Sequence, residues 1–312
     1  MLKSAVCFDD VLLIPQLSEI TSRSEIDISS NLGNSVKLDI PVISSPMDTV
    51  TESEMAAALY GSGGMGIIHR YNSIKEQVEI IKRCREIADS EKMNLGFAIG
   101  VSGDFIERAI AGTRAGANLI CVDVAHGHHI LMRYALETLR NTLGSDIHIM
   151  AGNVATLEGV NDLADWGANS VRIGIGGGSI CSTRIQTGHG IPTLQSIMDC
   201  SHTDRNVKLI ADGGMRNSGD IVKALAAGAD AVMLGSLFSG TIEAPGDVIK
   251  DSAGNLAKAY RGMASKEAQI NWRGKTSSVE GVATIVPLKG PVDSILNKLE
   301  LGIRSGFSYS GC

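Results

Sequence analysis

Along the chain, short β-branched or continuously apolar runs alternate with stretches in which apolar positions recur at helical spacing. Eight runs stand out: Pro41–Ser45, Gly66–His69, Leu95–Ile99, Asn118–Val122, His148–Ala151, Ser170–Ile173, Lys208–Ala211 and Ala231–Leu234. Runs that are apolar at successive positions, and not at every second one, indicate parallel strands covered by helices on their faces. Eight strand–helix units predict an α/β protein of the (β/α)8 TIM barrel type over an open doubly wound sheet. Between the strands, Thr51 to Tyr60 opens with an S/T-x-x-E pattern, Thr51 to Glu54, that predicts a capping box before an Ala-rich helix. Gly219 to Ala227 reads as another helix, stopped by Gly228. Ala115-Gly116-Ala117, Trp166-Gly167-Ala168 and Ala227-Gly228-Ala229 each precede a strand and read as helix stops without a chemical role. Beyond the eighth run, residues 264–284 are polar and without period, which predicts a mobile loop. Val292 to Ile303 resumes helical spacing. The expected organisation is one barrel domain over 1–312 with a flap at about 264–284.

Composition narrows the class. Among 312 residues, 44% are apolar and 20% charged, ordinary for a globular enzyme and too apolar for disorder. The 36 glycines with only 4% aromatics suit tight loops that bring backbone close to a ligand. A net charge of −6 argues against a broad basic face for nucleic acid. Met1 to Pro15 carries Asp9 and Asp10 inside its apolar stretch, unlike a signal peptide. No apolar run reaches the roughly 18 residues of a membrane span. Cysteines 7, 84, 121, 181, 200 and 312 show no C-x-x-C spacing, so they read as reduced thiols of a cytoplasmic protein, one of them chemically special.

In such a barrel the chemistry gathers at the C-terminal ends of the strands. The sixth run is followed by Gly174-Ile175-Gly176-Gly177-Gly178-Ser179-Ile180-Cys181-Ser182-Thr183-Arg184. Its glycines let amides approach an anion or carbonyls converge on a cation. Ser179 offers a hydroxyl to a phosphate, and Arg184 near Cys181 would favour its thiolate. The alternative is a Gly-rich turn with an incidental Cys. The seventh run ends in Asp212-Gly213-Gly214 and the eighth in Gly235-Ser236, the ends at which barrels commonly bind phosphate. Asp212 would accept from ribose hydroxyls, or else cap the following helix. His126, His128 and His129 follow the fourth run near Cys121 and Asp123. They lack zinc-ligand spacing and read as a loop that meets substrate or cofactor, with Asp123 the better working group.

These residues fall into motifs. Phe8-Asp9-Asp10-Val11-Leu12-Leu13, Ser45-Pro46-Met47-Asp48-Thr49-Val50, Ala151-Gly152-Asn153-Val154, the Gly-Ser-Ile-Cys loop, Ala211-Asp212-Gly213-Gly214 and Met233-Leu234-Gly235-Ser236 occur in this order. In this the chain resembles the inosine monophosphate dehydrogenase and GMP reductase family over nearly its whole length. The resemblance implies a (β/α)8 barrel, usually a homotetramer, that binds a purine nucleoside 5′-monophosphate. It implies Cys181 as the nucleophile at carbon 2 of the purine. Ser179, Gly214, Gly235, Ser236 and Tyr260 would hold the phosphate, Asp212 the ribose, and Met263, Ala264 and Glu280 the base. Arg70, Asp123 and His126 would lie toward the nicotinamide cofactor. Carbonyls of Gly174, Gly176 and Cys181 fall where many members bind a monovalent cation such as K+. Gly177 stands where members usually have Pro, which implies a freer loop. Between His69 and Leu95 there is space for one helix, and none for the regulatory nucleotide-binding module pair of many dehydrogenases.

The two enzymes of the family share a covalent thioimidate on the cysteine and differ in its fate. The dehydrogenase, with NAD+, hydrolyses the adduct and uses an Arg-Tyr pair on a long flap. The reductase, with NADPH, must protonate a leaving amine, for which a Thr-Glu pair suffices. Here the only flap arginine is Arg273, between Trp272 and Gly274. Thr183, Glu280-Gly281 and Asp123-Val124-Ala125 look like the reductase. His69-Arg70-Tyr71, Ser45-Pro46-Met47 and Met215-Arg216-Asn217-Ser218-Gly219-Asp220 look like the dehydrogenase. The flap carries the step that differs, so the expectation is a GMP reductase. IMP dehydrogenase is the alternative, and a non-catalytic nucleotide-binding paralogue a third reading.

Overall fold

A computed structural model describes residues 4–312. The first three residues of the Met1–Pro15 stretch lie outside the described part. Two short 3-10 turns, Phe8–Asp10 and Arg23–Glu25, precede a hairpin of β1 (Ser30–Gly33) and β2 (Val36–Leu38), turned through Asn34 and Ser35. Eight parallel strands follow: β3 (Val42–Ser44), β4 (Met65–Ile68), β5 (Leu95–Ile99), β6 (Leu119–Asp123), β7 (His148–Val154), β8 (Ser170–Ile173), β9 (Lys208–Asp212) and β10 (Ala231–Leu234). They pair in chain order, and β10 closes on β3 with Val232 beside Val42. Between them run α1 (Ser53–Gly61), α2 (Ile74–Ala88), α3 (Phe105–Arg114), α4 (Ile130–Leu143), α5 (Leu157–Asp165), α6 (Thr183–Thr187), α7 (Thr193–Cys200) and α8 (Ser218–Ala226). After β10 come β11 (Ile249–Lys250), β12 (Leu256–Arg261), α9 (Lys266–Arg273), β13 (Ala283–Pro287) and α10 (Val292–Ser310). This is the expected (β/α)8 barrel. Among the described residues no helix is long and apolar enough to cross a membrane.

The continuous apolar runs have a physical cause. Phe97, Ile120, Ile149 and Val171 belong to the layer between barrel and helices, with Leu59, Ile81 and Leu136. The alternate residues Ala98, Cys121, Met150 and Ile210 fill the barrel interior, so both faces of each strand are dry. Leu32, Val36 and Leu38 of the hairpin join that interior set, and Asn34 Nδ2 donates to the carbonyls of Ser145 and Ile147 just before β7. The hairpin therefore closes the N-terminal mouth and leaves the C-terminal mouth open.

Two expectations need correction. Thr51 does not cap α1: Glu52 occupies the cap without a side-chain bond, while the Thr51 hydroxyl lies buried against Ser44 and Ser45. Segment 264–284 is not a plain loop, because α9 forms within it, capped by the Ser265 hydroxyl on the Ala268 amide. The three helix-stop glycines behave as expected, with φ of 105° at Gly116, 113° at Gly167 and 111° at Gly228. Only α2 lies between β4 and β5.

One core group makes stability pH-dependent. His148 at the start of β7 is buried and bonded to the Ser170 hydroxyl at 2.8 Å. Burial pushes its pKa down from 6.5 to about 4. Between those values the unfolded chain binds the extra proton, so stability falls as pH drops through this window. The loss is on the order of 3 kcal/mol from this ring. Urea unfolding at several pH values should show it, with the slope reduced in His148→Asn; equal slopes in both chains would clear the ring of any role.

Candidate functional site at the C-terminal mouth of the barrel

A cavity of about 490 Å³ opens at the C-terminal ends of the strands. Its lining includes Cys181, Thr183, Glu280 and Asp123, together with Ser179, Asp212, Gly214, Gly235, Ser236, Tyr260, Met263 and Ala264. Arg70, Gly174 and Gly176 line it as well. His126 does not: it is exposed on the loop after β6, where partial burial and the neighbouring His128, His129 and His189 rings lower its pKa. His128 bonds Asp162, and His129 caps α4, so the three rings of that loop serve different neighbours. Arg184, expected beside Cys181, packs its Cβ near Gly176 and Gly190 and is not among the cavity-lining residues.

The nucleophile candidate sits in a chain of hydrogen bonds. Cys181 Sγ lies 3.3 Å from Thr183 Oγ1, and Thr183 Oγ1 donates to Glu280 Oε2 at 2.8 Å. The Ser278 hydroxyl donates to the other carboxylate oxygen at 3.1 Å. A short ladder brings residue 280 to residue 183: the Ser182 amide donates to the Glu280 carbonyl at 2.9 Å, and the Val282 amide to the Ile180 carbonyl at 3.0 Å. The far end of the flap is thus stitched to the cysteine loop, and β13 then pairs with β12 in register Tyr260 to Thr284. Such a chain can take the thiol proton through a hydroxyl to a carboxylate and return it to a leaving group.

Glycine is required where the loops meet. Gly213 and Gly214 have φ of 81° and 87°, and a Cβ on Gly174 would fall 2.2 Å from the Asp212 carbonyl oxygen. Gly177 differs in kind. A Cβ there would lie 2.2 Å from Thr193 Oγ1, a buried hydroxyl without a hydrogen-bond partner. A side chain at position 177 would thus run into Thr193, so the loop is closely packed at this point. Gly177→Ala should lower the thermal midpoint by several degrees, since overpacking costs about 1–3 kcal/mol and each kcal/mol moves a chain of this size by about 2–4 °C. Adding Thr193→Ala should restore the midpoint; equal midpoints for the single and double variants would contradict this packing.

At one end of the cavity, Tyr260 Oη stands 3.5 Å from Ser179 Oγ and close to Gly235. Burial pushes the Tyr260 phenol up against the lowering effect of the Ser179 hydroxyl, so it remains a neutral donor. With the backbone at Gly214, these groups line one end of the cavity with polar atoms.

At the strand ends, Arg172 Nη1 donates to Asp123 Oδ1 at 2.6 Å and Nη2 to Asp212 Oδ2 at 2.8 Å. Asn153 Nδ2 adds a bond to Asp212 Oδ2 at 2.7 Å and another to the Gly174 carbonyl at 2.8 Å. Asn217, and not Asp212, caps α8, which leaves the Asp212 carboxylate to the cavity. The roles of Arg172 and Asn153 escaped the sequence reading. The signal was there in Arg172, a charge within the fully buried strand Ser170–Ile173, which must find partners.

A second, polar cavity of about 270 Å³ adjoins the first, sharing Arg70, Val124 and Arg273 and adding Arg108, Ser102 and Trp272. Arg70 Nε is buried without a hydrogen bond, 3.7 Å from Asp123 Oδ2. Trp272 at the end of α9 stacks on Tyr71 with centroids 5.8 Å apart, which docks the flap beside this second cavity.

A family model described as "IMP dehydrogenase / GMP reductase domain" matches residues 5–312. The chain is 34% identical to an inosine-5′-monophosphate dehydrogenase of Nitrosopumilus maritimus (strain SCM1), covering 99% of this chain and 93% of that protein. It is 31% identical to a GMP reductase of Leishmania major, covering 99% and 92%. The crystal structure of a GMP reductase from Trypanosoma brucei in complex with guanosine 5′-monophosphate superimposes with a TM-score of 0.93 at 31% identity, covering 100% of this chain and 93% of that one. Both enzymes thus stand among the relatives at similar identity. With a closed eight-stranded barrel, a cysteine loop at its open mouth and this set of relatives, the chain belongs to the IMP dehydrogenase / GMP reductase family, oxidoreductases of purine nucleotide metabolism.

Proposed function

We propose that the chain is a GMP reductase that converts GMP to IMP and ammonia with NADPH. The observation that carries this reading is the chain from Cys181 through Thr183 to Glu280. Cys181 gives its proton through Thr183 to Glu280 as its sulfur bonds to carbon 2 of the purine. Glu280 returns the proton by the same route to the amine, which leaves as ammonia. NADPH, when bound, supplies the hydride that carbon 2 receives as the carbon–sulfur bond breaks and Cys181 departs as thiolate. The balance is GMP, NADPH and two protons to IMP, NADP+ and ammonium.

The remaining residues divide the substrate. Ser179, Tyr260, Ser236 and the backbone of Gly214 and Gly235 hold the 5′-phosphate. Asp212 accepts from the ribose, and Met263, Ala264 and Glu280 meet the base. Asp123 and Arg70 serve the dinucleotide, whose phosphates suit the arginine-lined second cavity and the unpaired Arg70 Nε. A potassium ion on the carbonyls of Gly174, Gly176 and Cys181 would order the cysteine loop; the Gly174 carbonyl already accepts from Asn153 and keeps a second lone pair. Residues 264–284 serve as the moving flap of one barrel domain. The same reading makes the protein a cytoplasmic homotetramer. Leu12, Ile14 and Leu17, each more than three-quarters exposed, are apolar surface for a second copy.

IMP dehydrogenase is the second reading, and one observation favours it. Arg273 and Tyr71 both line the main cavity, so an Arg and a Tyr meet there from separate segments. Incubation with GMP and NADPH, following nicotinamide absorbance and ammonia together, decides. Equal loss of NADPH and gain of ammonia is the expected result. NAD+-driven oxidation of IMP without GMP turnover would overturn it, and silence in both assays would leave a binding protein.

A further inference from the structure

We propose that Arg172 is a positioning residue that makes purine-nucleotide binding and dinucleotide binding favour each other, by holding one carboxylate of each subsite in a single guanidinium fork. The inference rests on the reading above, in which Asp212 takes the ribose of the monophosphate and Asp123 takes the dinucleotide.

The geometry is specific. Four consecutive barrel strands end in this cluster: Asp123 closes β6, Asn153 lies in β7, Arg172 in β8 and Asp212 closes β9. Each carboxylate spends one oxygen on Arg172, Oδ1 of Asp123 at 2.6 Å and Oδ2 of Asp212 at 2.8 Å. The other oxygen of each is left to the cavity side. Asp212 Oδ1 has no hydrogen-bond partner among the described residues, and Asp123 Oδ2 has only Arg70 Nε at 3.7 Å. The guanidinium is rigid and planar, so fixing one carboxylate against it fixes the plane offered to the other. Only 6% of the Arg172 side chain is exposed, and its Nε is buried without a partner. The side chain thus gives up one of its own hydrogen bonds to span both carboxylates. Burial opposes its charge, and the neighbouring Asp212 and Asp123 carboxylates more than offset that, so Arg172 stays protonated between them.

A ligand hydroxyl on the free oxygen of Asp212 restrains the fork, and through it the rotation of Asp123. The second ligand then meets a carboxylate already held, so less ordering remains to be done on binding. Reciprocity follows from linkage. A lysine at 172 keeps the charge but is a point donor on a flexible stem and cannot hold two carboxylates in one plane.

The test uses the intact chain in a Cys181→Ala background, wild type at 172 or Arg172→Lys, so that GMP and NADP+ bind without forming the sulfur adduct. Titration calorimetry gives the Kd for GMP alone and at saturating NADP+. The wild type should bind GMP more tightly with NADP+ present, by about 5- to 150-fold, the usual span of such coupling. In Arg172→Lys each ligand should still bind, with the factor close to one. A wild type that binds both ligands with no coupling overturns the proposal without need of a variant, as does a lysine variant with the wild-type factor. A merely structural Arg172 would lower the thermal midpoint and both affinities in parallel and leave their ratio intact. If the purine and dinucleotide pair proves to be IMP and NAD+, the same factor is read with XMP and NAD+, so an error in reaction direction is seen separately. Failure of either pair to bind overturns the coupling and the functional reading together.

Discussion

Cys181→Ala should abolish turnover, lowering the rate by roughly 10⁴-fold or more, the scale of removing an attacking nucleophile. GMP binding measured by calorimetry should survive. The argument is one of place. Cys181 is the cysteine among the cavity-lining residues with a hydroxyl in reach of its sulfur. Cys84, Cys121 and Cys200 are buried, and burial pushes each thiol up to about 12. They hold their protons at neutral pH and are closed to reagents. Cys7 and Cys312 are exposed but lie outside the cavity. Intact-mass analysis after brief iodoacetamide treatment should therefore find Cys181 protected by GMP, while labelling of Cys7 and Cys312 is unchanged. Turnover by the alanine variant near the wild-type rate would remove the covalent mechanism.

The second large effect is expected at the relay. Glu280→Gln keeps the shape of the side chain and removes its capacity to hold a proton. It should lower kcat by about 10²–10⁴-fold, the usual worth of a positioned general acid or base. KM for GMP should move far less. Thr183→Ala breaks the same path one atom earlier, at the hydroxyl 2.8 Å from Glu280 Oε2. Since both act on one proton, the double variant should be little worse than the more damaged single variant. Multiplying losses would mean that the two groups act separately. The ammonia signal makes the test sharper: if the relay protonates the leaving amine, the burst of ammonia in the first turnover should slow with the overall rate.

The barrel was readable because its strands are buried on both faces. That condition demands apolar residues at successive positions, and the eight runs match the observed strands to within a few residues: Leu95–Ile99 coincides with β5, and Gly66–His69 is offset by one from β4. The same reasoning fails for strands that are half exposed. The hairpin strand β2 buries Val36 and Leu38 around an exposed Lys37, over only three residues. In β13 no residue is fully buried. Such segments leave no apolar run to find. Helix α9 is polar on most sides and buries only Ala268 and Gln269. Its order comes from Gln269, which bonds the carbonyls of Ala264 and Ser278 and the amide of Ser277. Those bonds become visible only after folding.

The chemistry divides along the same line. Local order alone announces a cysteine in a glycine-rich loop after the sixth strand, two residues before a hydroxyl, and acidic and glycine-rich ends on the strands that follow. These are neighbours in the chain, so loop conformation and strand position suffice to gather them. The partnership of Thr183 with Glu280 spans 97 residues, and Arg172 reaches 49 residues back to Asp123 and 40 forward to Asp212. The family resemblance names Thr183 and Glu280 together, but local order encodes neither that contact nor those of Arg172, because barrel closure and the ladder between Ile180–Ser182 and Glu280–Val282 bring the groups within hydrogen-bond distance. Arg184 is the converse case: three residues from Cys181 in the chain, it turns toward Gly176 and Gly190 and takes no place in the cavity. Hydrogen bonds act over about 3 Å of space, and separation along the chain is a poor measure of that distance once the backbone turns.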